Sequence, residues 1–245
     1  MKKIFLLLAI SSLVVISCRK DDDSSTTSEV SIETQNSYDD TAAQKFLKDY
    51  YFDAQGNIVA FDSSITTDDN ETPLSDLNPV KLPSGVIYVS RYIPTNGKAI
   101  AATDKIRWML KATTYVGTKD KDGVIQFSSA QLFRNTMTST GTPEVDPSYF
   151  YVKKSVFDKY NETLTTPKTR EFFEIEGLKE ALQLFKSSEI SDSDYYNLQG
   201  VIIVPSRAAF ARDDHYPYAT YALRNRSFVF NFQVYKTETR TSADD

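Results

Sequence analysis

Apolar residues recur at Leu178, Ala181, Leu182 and Phe185, a helical spacing that predicts a short amphipathic helix within Glu174 to Phe185. Downstream the period changes to two. Phe228, Phe230, Phe232 and Val234 alternate with Val229, Asn231 and Gln233, so the closing segment reads as a strand with one aromatic face. Between them Gly200 to Val204 is a compact apolar run closed by Pro205, which suits a buried strand. Upstream, Ile106, Trp108 and Leu110 alternate in the same way and read as core. Nearer the start, Thr41-Ala42-Ala43-Gln44 has capping-box spacing, and Ala43, Phe46, Leu47 and Tyr50 form an apolar helical stripe. Tyr51-Phe52, the Gly56-Asn57 turn and Ile58 to Phe61 then predict a small hairpin. Residues 62–82 are polar and contain prolines, as a loop would.

The first residues follow another pattern. Lys2 and Lys3 precede an apolar run from Ile4 to Ile16, then Ser17 and Cys18. A charged start, a short apolar core and a small residue before the cut describe a signal peptide over 1–17. Cys18 is the only cysteine of the chain, and its place resembles a bacterial lipobox, which implies lipidation there and anchoring in a membrane. Arg19-Lys20-Asp21-Asp22-Asp23 is similar to the lipoprotein export signal of Bacteroidota, which implies an outer-membrane, cell-surface location. Residues 18–40 are rich in Ser, Thr, Asp and Glu and read as a flexible acidic tether. The net charge is −5. Most of it lies in that tether, so the remainder is nearly neutral and has no electrostatic footprint for nucleic acid. With one cysteine no disulfide forms within the chain. Asp213, Asp214 and His215 have metal-ligating chemistry, but their setting beside Pro217 reads as turn polarity, so neither metal nor cofactor is expected.

The order of words in the second half resembles the FKBP-type peptidyl-prolyl isomerases. EIEGLKEALQLF, VIIVPSRAAFA and SFVFNFQV match the helix, the strand ending in IPxxLAYG and the closing strand of that family. LPSGVIYVSRYI, DKIRWMLKA and DGVIQFSS match its upstream strands. The resemblance covers residues 83–237 and implies an α+β fold, in which a bent antiparallel sheet wraps a short helix. Residues 41–82 then form an N-terminal extension, about 130–172 a long insertion rich in aromatics, and 238–245 a flexible tail. FLK-YY…GNI-AFD segments of this kind precede FKBP domains in similar lipoproteins.

The chemistry implied needs little acid–base machinery. An X-Pro amide must twist across a barrier of roughly 18–20 kcal/mol, and an apolar, water-poor cleft favours the less dipolar twisted form. Carried over position by position, the resemblance places catalytic contacts at Phe127, Ile175, Phe210 and Phe230. Ile175 follows Glu174 at the helix entrance, and its backbone N–H would hold a substrate carbonyl. Substrate contacts fall on Leu110, on Ser128, on Leu178 as the cleft floor, and on Tyr216 and Tyr218 in an overhanging loop. Leu110 replaces a pocket tyrosine, Ser128 an aspartate, Leu178 a tryptophan and Phe210 a tyrosine. The lost hydroxyl and carboxylate imply weakened catalysis. Two readings stay open: an isomerase acting on proline-containing exported polypeptides, or a degenerate accessory subunit of an outer-membrane transport or secretion complex.

Overall fold

The computed structural model describes residues 29–137 and 141–245. The leader, Cys18 and the first part of the tether lie outside the described residues. The architecture is the α+β class expected from the sequence. A seven-stranded antiparallel sheet has the order β3-β4-β8-β9-β5-β6, with β7 also paired to β5. Its strands are β3 (Val80–Lys81), β4 (Ile87–Ser90), β5 (Lys105–Lys119), β6 (Ile125–Asn135), β7 (Glu144–Val145), β8 (Gly200–Val204) and β9 (Ser227–Glu238). A separate hairpin pairs β1 (Tyr50–Phe52) with β2 (Ile58–Ala60), as the Gly56-Asn57 turn requires. The helices are α1 (Ile32–Asp49), α2 (Lys154–Asn161) and α3 (Glu176–Leu182).

The alternation along β9 divides the molecule into two apolar layers. Phe228, Phe230, Phe232 and Val234 enter one cluster with Ile106, Trp108 and Leu110 of β5 and with Leu178, Ala181, Leu182 and Phe185 from the α3 region. Val229 enters another on the opposite face, with Ala43, Phe46 and Leu47 of α1. Register shifts in β5 between Arg107 and Trp108, and in its pairing with β6, kink the long strands. Each layer has a glycine at the closest helix approach. A Cβ on Gly177 of α3 would lie 2.7 Å from side-chain atoms of Val204 and Val86, and one on Gly117 of β5 would lie 2.8 Å from an Asp39 carboxylate oxygen.

Three boundaries differ from the sequence reading. The first helix starts at Ile32, inside the expected tether and upstream of Thr41, with the Ser31 side chain accepting the Thr34 N–H. Its first turns dock through polar groups, which an apolar stripe does not reveal. Gln35 donates to the Gly117 carbonyl (3.0 Å) and to Asp39 (2.9 Å), and Asp39 accepts the Ser206 N–H (2.9 Å). The insertion does not begin near 130, because β6 runs on to Asn135 as an edge strand whose residues from Ser129 to Leu132 are exposed and give no alternation. The tail is not loose. Arg240 pairs with Asp146, Lys105 with Asp244 (2.9 Å), and an Asp245 carboxylate oxygen accepts the Lys154 N–H (2.8 Å). Charge pairing holds these residues where apolar pattern is missing.

Asp39 supplies a pH prediction. It is fully buried with amide donors, and burial raises its carboxyl above the usual range against the opposing bonds from Ser206 and Gln35. The folded state therefore holds this proton more tightly than the unfolded chain. The associated stability is present below the unfolded value, 3.8, and is lost as pH rises through the folded one. Asp39→Asn is expected to flatten the fall in stability above about pH 4, read by urea unfolding at stepped pH. An unchanged slope would count against this assignment.

Candidate functional site: an aromatic cleft filled from within

The cleft expected between α3 and the sheet is framed by the predicted elements. Leu110 on β5, Phe230 on β9, and Ile175 and Leu178 at the start of α3 are all fully buried in one cluster, and Phe210 joins them from the loop after β8. Tyr218 packs against the same cluster. Phe210 stacks with Tyr218 at 6.3 Å between ring centroids and meets Phe228 edge-on at 6.1 Å. Five of the predicted side chains are thus brought together, with Tyr218 beside them.

Phe127, Ser128 and Tyr216 are not part of this group. Phe127 lies on the other face of the sheet, 5.2 Å from Tyr115 and 6.0 Å from Phe46. The reason is a bulge. The β5–β6 register shifts between Thr114 and Val116, separating the part of β6 that bears Phe127 from the part that bears Phe133. One extra residue exchanges the faces of a strand. Phe133 is the β6 aromatic that enters the cleft cluster. Ser128 spends its hydroxyl on the Val116 carbonyl at 3.2 Å and accepts from Thr118 at 3.0 Å. Tyr216 belongs to a neighbouring aromatic group with Phe172, Phe173 and Tyr160.

The interior of this cluster is filled by the chain's own segment of Tyr149, Phe150 and Tyr151. Tyr149, Phe150 and Val152 are fully buried and Tyr151 nearly so. The Tyr149 ring sits 5.1 Å from Phe133, 5.7 Å from Tyr218 and 6.1 Å from Trp108. Its hydroxyl donates to Glu144. Burial, with the Glu144 charge, pushes the phenol well above its usual range, so it stays a donor. The Ile175 N–H, expected to be free for a substrate carbonyl, donates instead to the Tyr149 carbonyl at 2.8 Å. That expectation is corrected: the donor is present at the helix entrance, but its acceptor is internal.

Glu174, the neighbour of Ile175, holds the next part of the segment. It is fully buried, and one carboxylate oxygen accepts the Val152 N–H at 2.9 Å and Arg170 at 2.7 Å. The other oxygen accepts Lys179 at 2.6 Å. Arg170 also donates to the Val152 carbonyl at 2.7 Å. Two guanidinium groups lie over the Tyr151 ring, Arg240 at 4.3 Å and Arg170 at 4.6 Å from its centroid. The segment is therefore gripped by main chain at Tyr149, by charge at Val152 and by aromatic packing throughout. Sequence reasoning missed Tyr149, Glu174, Arg170 and Lys179 as determinants. The available signal was the unbroken apolar and aromatic run Tyr149 to Val152 within the insertion, and a carboxylate at a helix entrance where an apolar residue was expected.

Among the described residues, no group of three His, Cys, Asp or Glu side chains is placed to hold a metal ion. Asp213, Asp214 and His215 lie in the loop after Phe210. The fold and site define an α+β protein whose helix and sheet close on a buried, aromatic-rich interior.

No protein-family model matches the chain, and no curated protein matches it. Solved structures do. FkpA from Escherichia coli is 16% identical over 66% of this chain and 52% of its own, with a TM-score of 0.37. This chain therefore spans about half the length of that protein. A peptidyl-prolyl cis-trans isomerase from Pseudomonas syringae is 12% identical over 66% of this chain and 81% of its own, with a TM-score of 0.33. A DUF4827 family protein from Parabacteroides distasonis is 13% identical over 84% of this chain and 98% of its own, with a TM-score of 0.38.

Proposed function

We propose that this chain is an FKBP-like module whose proline cleft has been given over to structure, and that it serves as a non-catalytic accessory domain of a larger extracytoplasmic assembly. The observation that carries the reading is the Ile175 N–H donated to the Tyr149 carbonyl, with the Tyr149 ring fully buried in the cluster that holds Phe210 and Phe230. Catalysis of prolyl isomerisation requires the twisted amide to gain contacts that the planar forms lack. Here those contacts are already made internally. The substitution at Phe210 supports the same reading, because the hydroxyl of the resembled family is absent there, and Phe210 is in the cluster. In this reading Cys18 carries the lipid, the acidic run after it directs the chain to the outer membrane, and the partner is a protein complex there.

The test is a proline-peptide isomerisation assay on the chain from residue 29 onward. The expected result is no acceleration above the uncatalysed rate, and no saturable binding of the peptide. Acceleration that depends on Phe210 and Phe230 would instead support an isomerase for exported proteins.

A further inference from the structure

The chain contains one histidine, and it ties together the two sides of the loop that lies over Phe210. The base of that loop closes where Asn225 N–H donates to the Ala211 carbonyl at 2.7 Å. Within it, His215 Nδ1 lies 3.0 Å from the Tyr216 carbonyl, and His215 Nε2 lies 3.3 Å from the Leu223 backbone nitrogen. A carbonyl only accepts and a backbone N–H only donates. The two contacts therefore fix one form of the ring: neutral, with the proton on Nδ1 and a lone pair on Nε2. The ring also lies against Phe210, at 5.0 Å between centroids. Leu223 is fully buried in the main apolar cluster, with Tyr218 and Tyr221 packed against the same cluster.

We infer that His215 is an acid-sensitive clasp, which as a neutral ring holds the loop from Ala211 to Arg226, with its Tyr218, against Phe210 and on protonation releases it. A proton on Nε2 would face the Leu223 N–H, so two donors would oppose each other and a buried amide would lose its acceptor. The charges around the ring work in both directions. Lys168, Arg212 and Arg224 line the surface hollow that contains His215 and disfavour a second cation. Asp213 and Asp214 line the same hollow and favour one, although Asp214 is already 3.4 Å from Lys168. Tyr160 from α2 completes the ionisable groups from packed elements, with Tyr216 on the loop itself. Release would widen an adjoining groove of about 350 Å³, whose apolar floor is Phe172, Ala209 and Phe210. The inference does not depend on whether the chain isomerises proline peptides.

The test uses the full chain and two measurements. Amide exchange at Leu223, corrected for the intrinsic effect of pH, is expected to accelerate about tenfold between about pH 7.5 and pH 5.5, while Phe230 stays protected. The non-titrating variant His215→Gln, which still offers one donor and one acceptor, is expected to show no such pH response. Imidazole nitrogen shifts of the single histidine are expected to report the Nδ1–H tautomer at neutral pH. The Nε2–H tautomer, equal Leu223 protection at both pH values, or the same pH response in His215→Gln would each overturn the clasp. Should His215→Gln disturb the loop at every pH, the wild-type exchange and the nitrogen shifts decide.

Discussion

Tyr149→Ala is expected to destabilise the protein by about 3–5 kcal/mol, as removal of a large ring from a packed core does. Tyr149 has no exposed surface and touches Phe133, Tyr218 and Trp108. Its removal leaves a cavity between the sheet and the loop after β8, and it frees Glu144 from the hydroxyl. The milder Tyr149→Phe keeps the ring and is expected to cost about 1 kcal/mol through the lost hydrogen bond alone. Chemical denaturation of both variants checks the pair. A cost for Tyr149→Ala of under about 1 kcal/mol would mean that the segment is a loose lid and not core.

Glu174→Ala is the second large effect. The carboxylate has no exposed surface and binds Arg170, Lys179 and the Val152 N–H at once. Removing one member of a buried charge cluster leaves the others uncompensated, at roughly 3–5 kcal/mol in fully buried cases. Arg170 and Lys179 retain part of their solvent access, 33% and 16% of their side chains, so the lower end of that range applies. The loss should also be local. Amide exchange is expected to accelerate more at Tyr151 and Val152 than in the centre of β9. Uniform acceleration would mean that Glu174 supports the whole fold and not the grip on this segment.

These two residues also show what the sequence made legible. The α3 helix, β8, β9 and the β1–β2 hairpin follow from periodicity, apolar runs and turn chemistry. So did the core placement of Ile106, Trp108 and Leu110. The resemblance located Leu110, Ile175, Leu178, Phe210 and Phe230 in one cluster. It failed at Phe127, because a bulge changes the face of β6 and position along a strand does not announce bulges. It also failed at the Ile175 N–H. The internal acceptor comes from residues far upstream, and such a pairing leaves no local pattern. The early start of α1 escaped for a related reason: Gln35 and Asp39 are buried by hydrogen bonding, while composition alone reads them as solvated.

The central claim is that the cleft is occupied by the chain itself. The Ile175 amide tests it most directly. With nitrogen-15 labelled protein, the account predicts that this amide exchanges only as slowly as the central β9 amides, and that its resonance does not move when a proline-containing peptide is added. An Ile175 amide that exchanges freely, or that shifts saturably with the peptide, would contradict the claim and show a cleft still open to substrate.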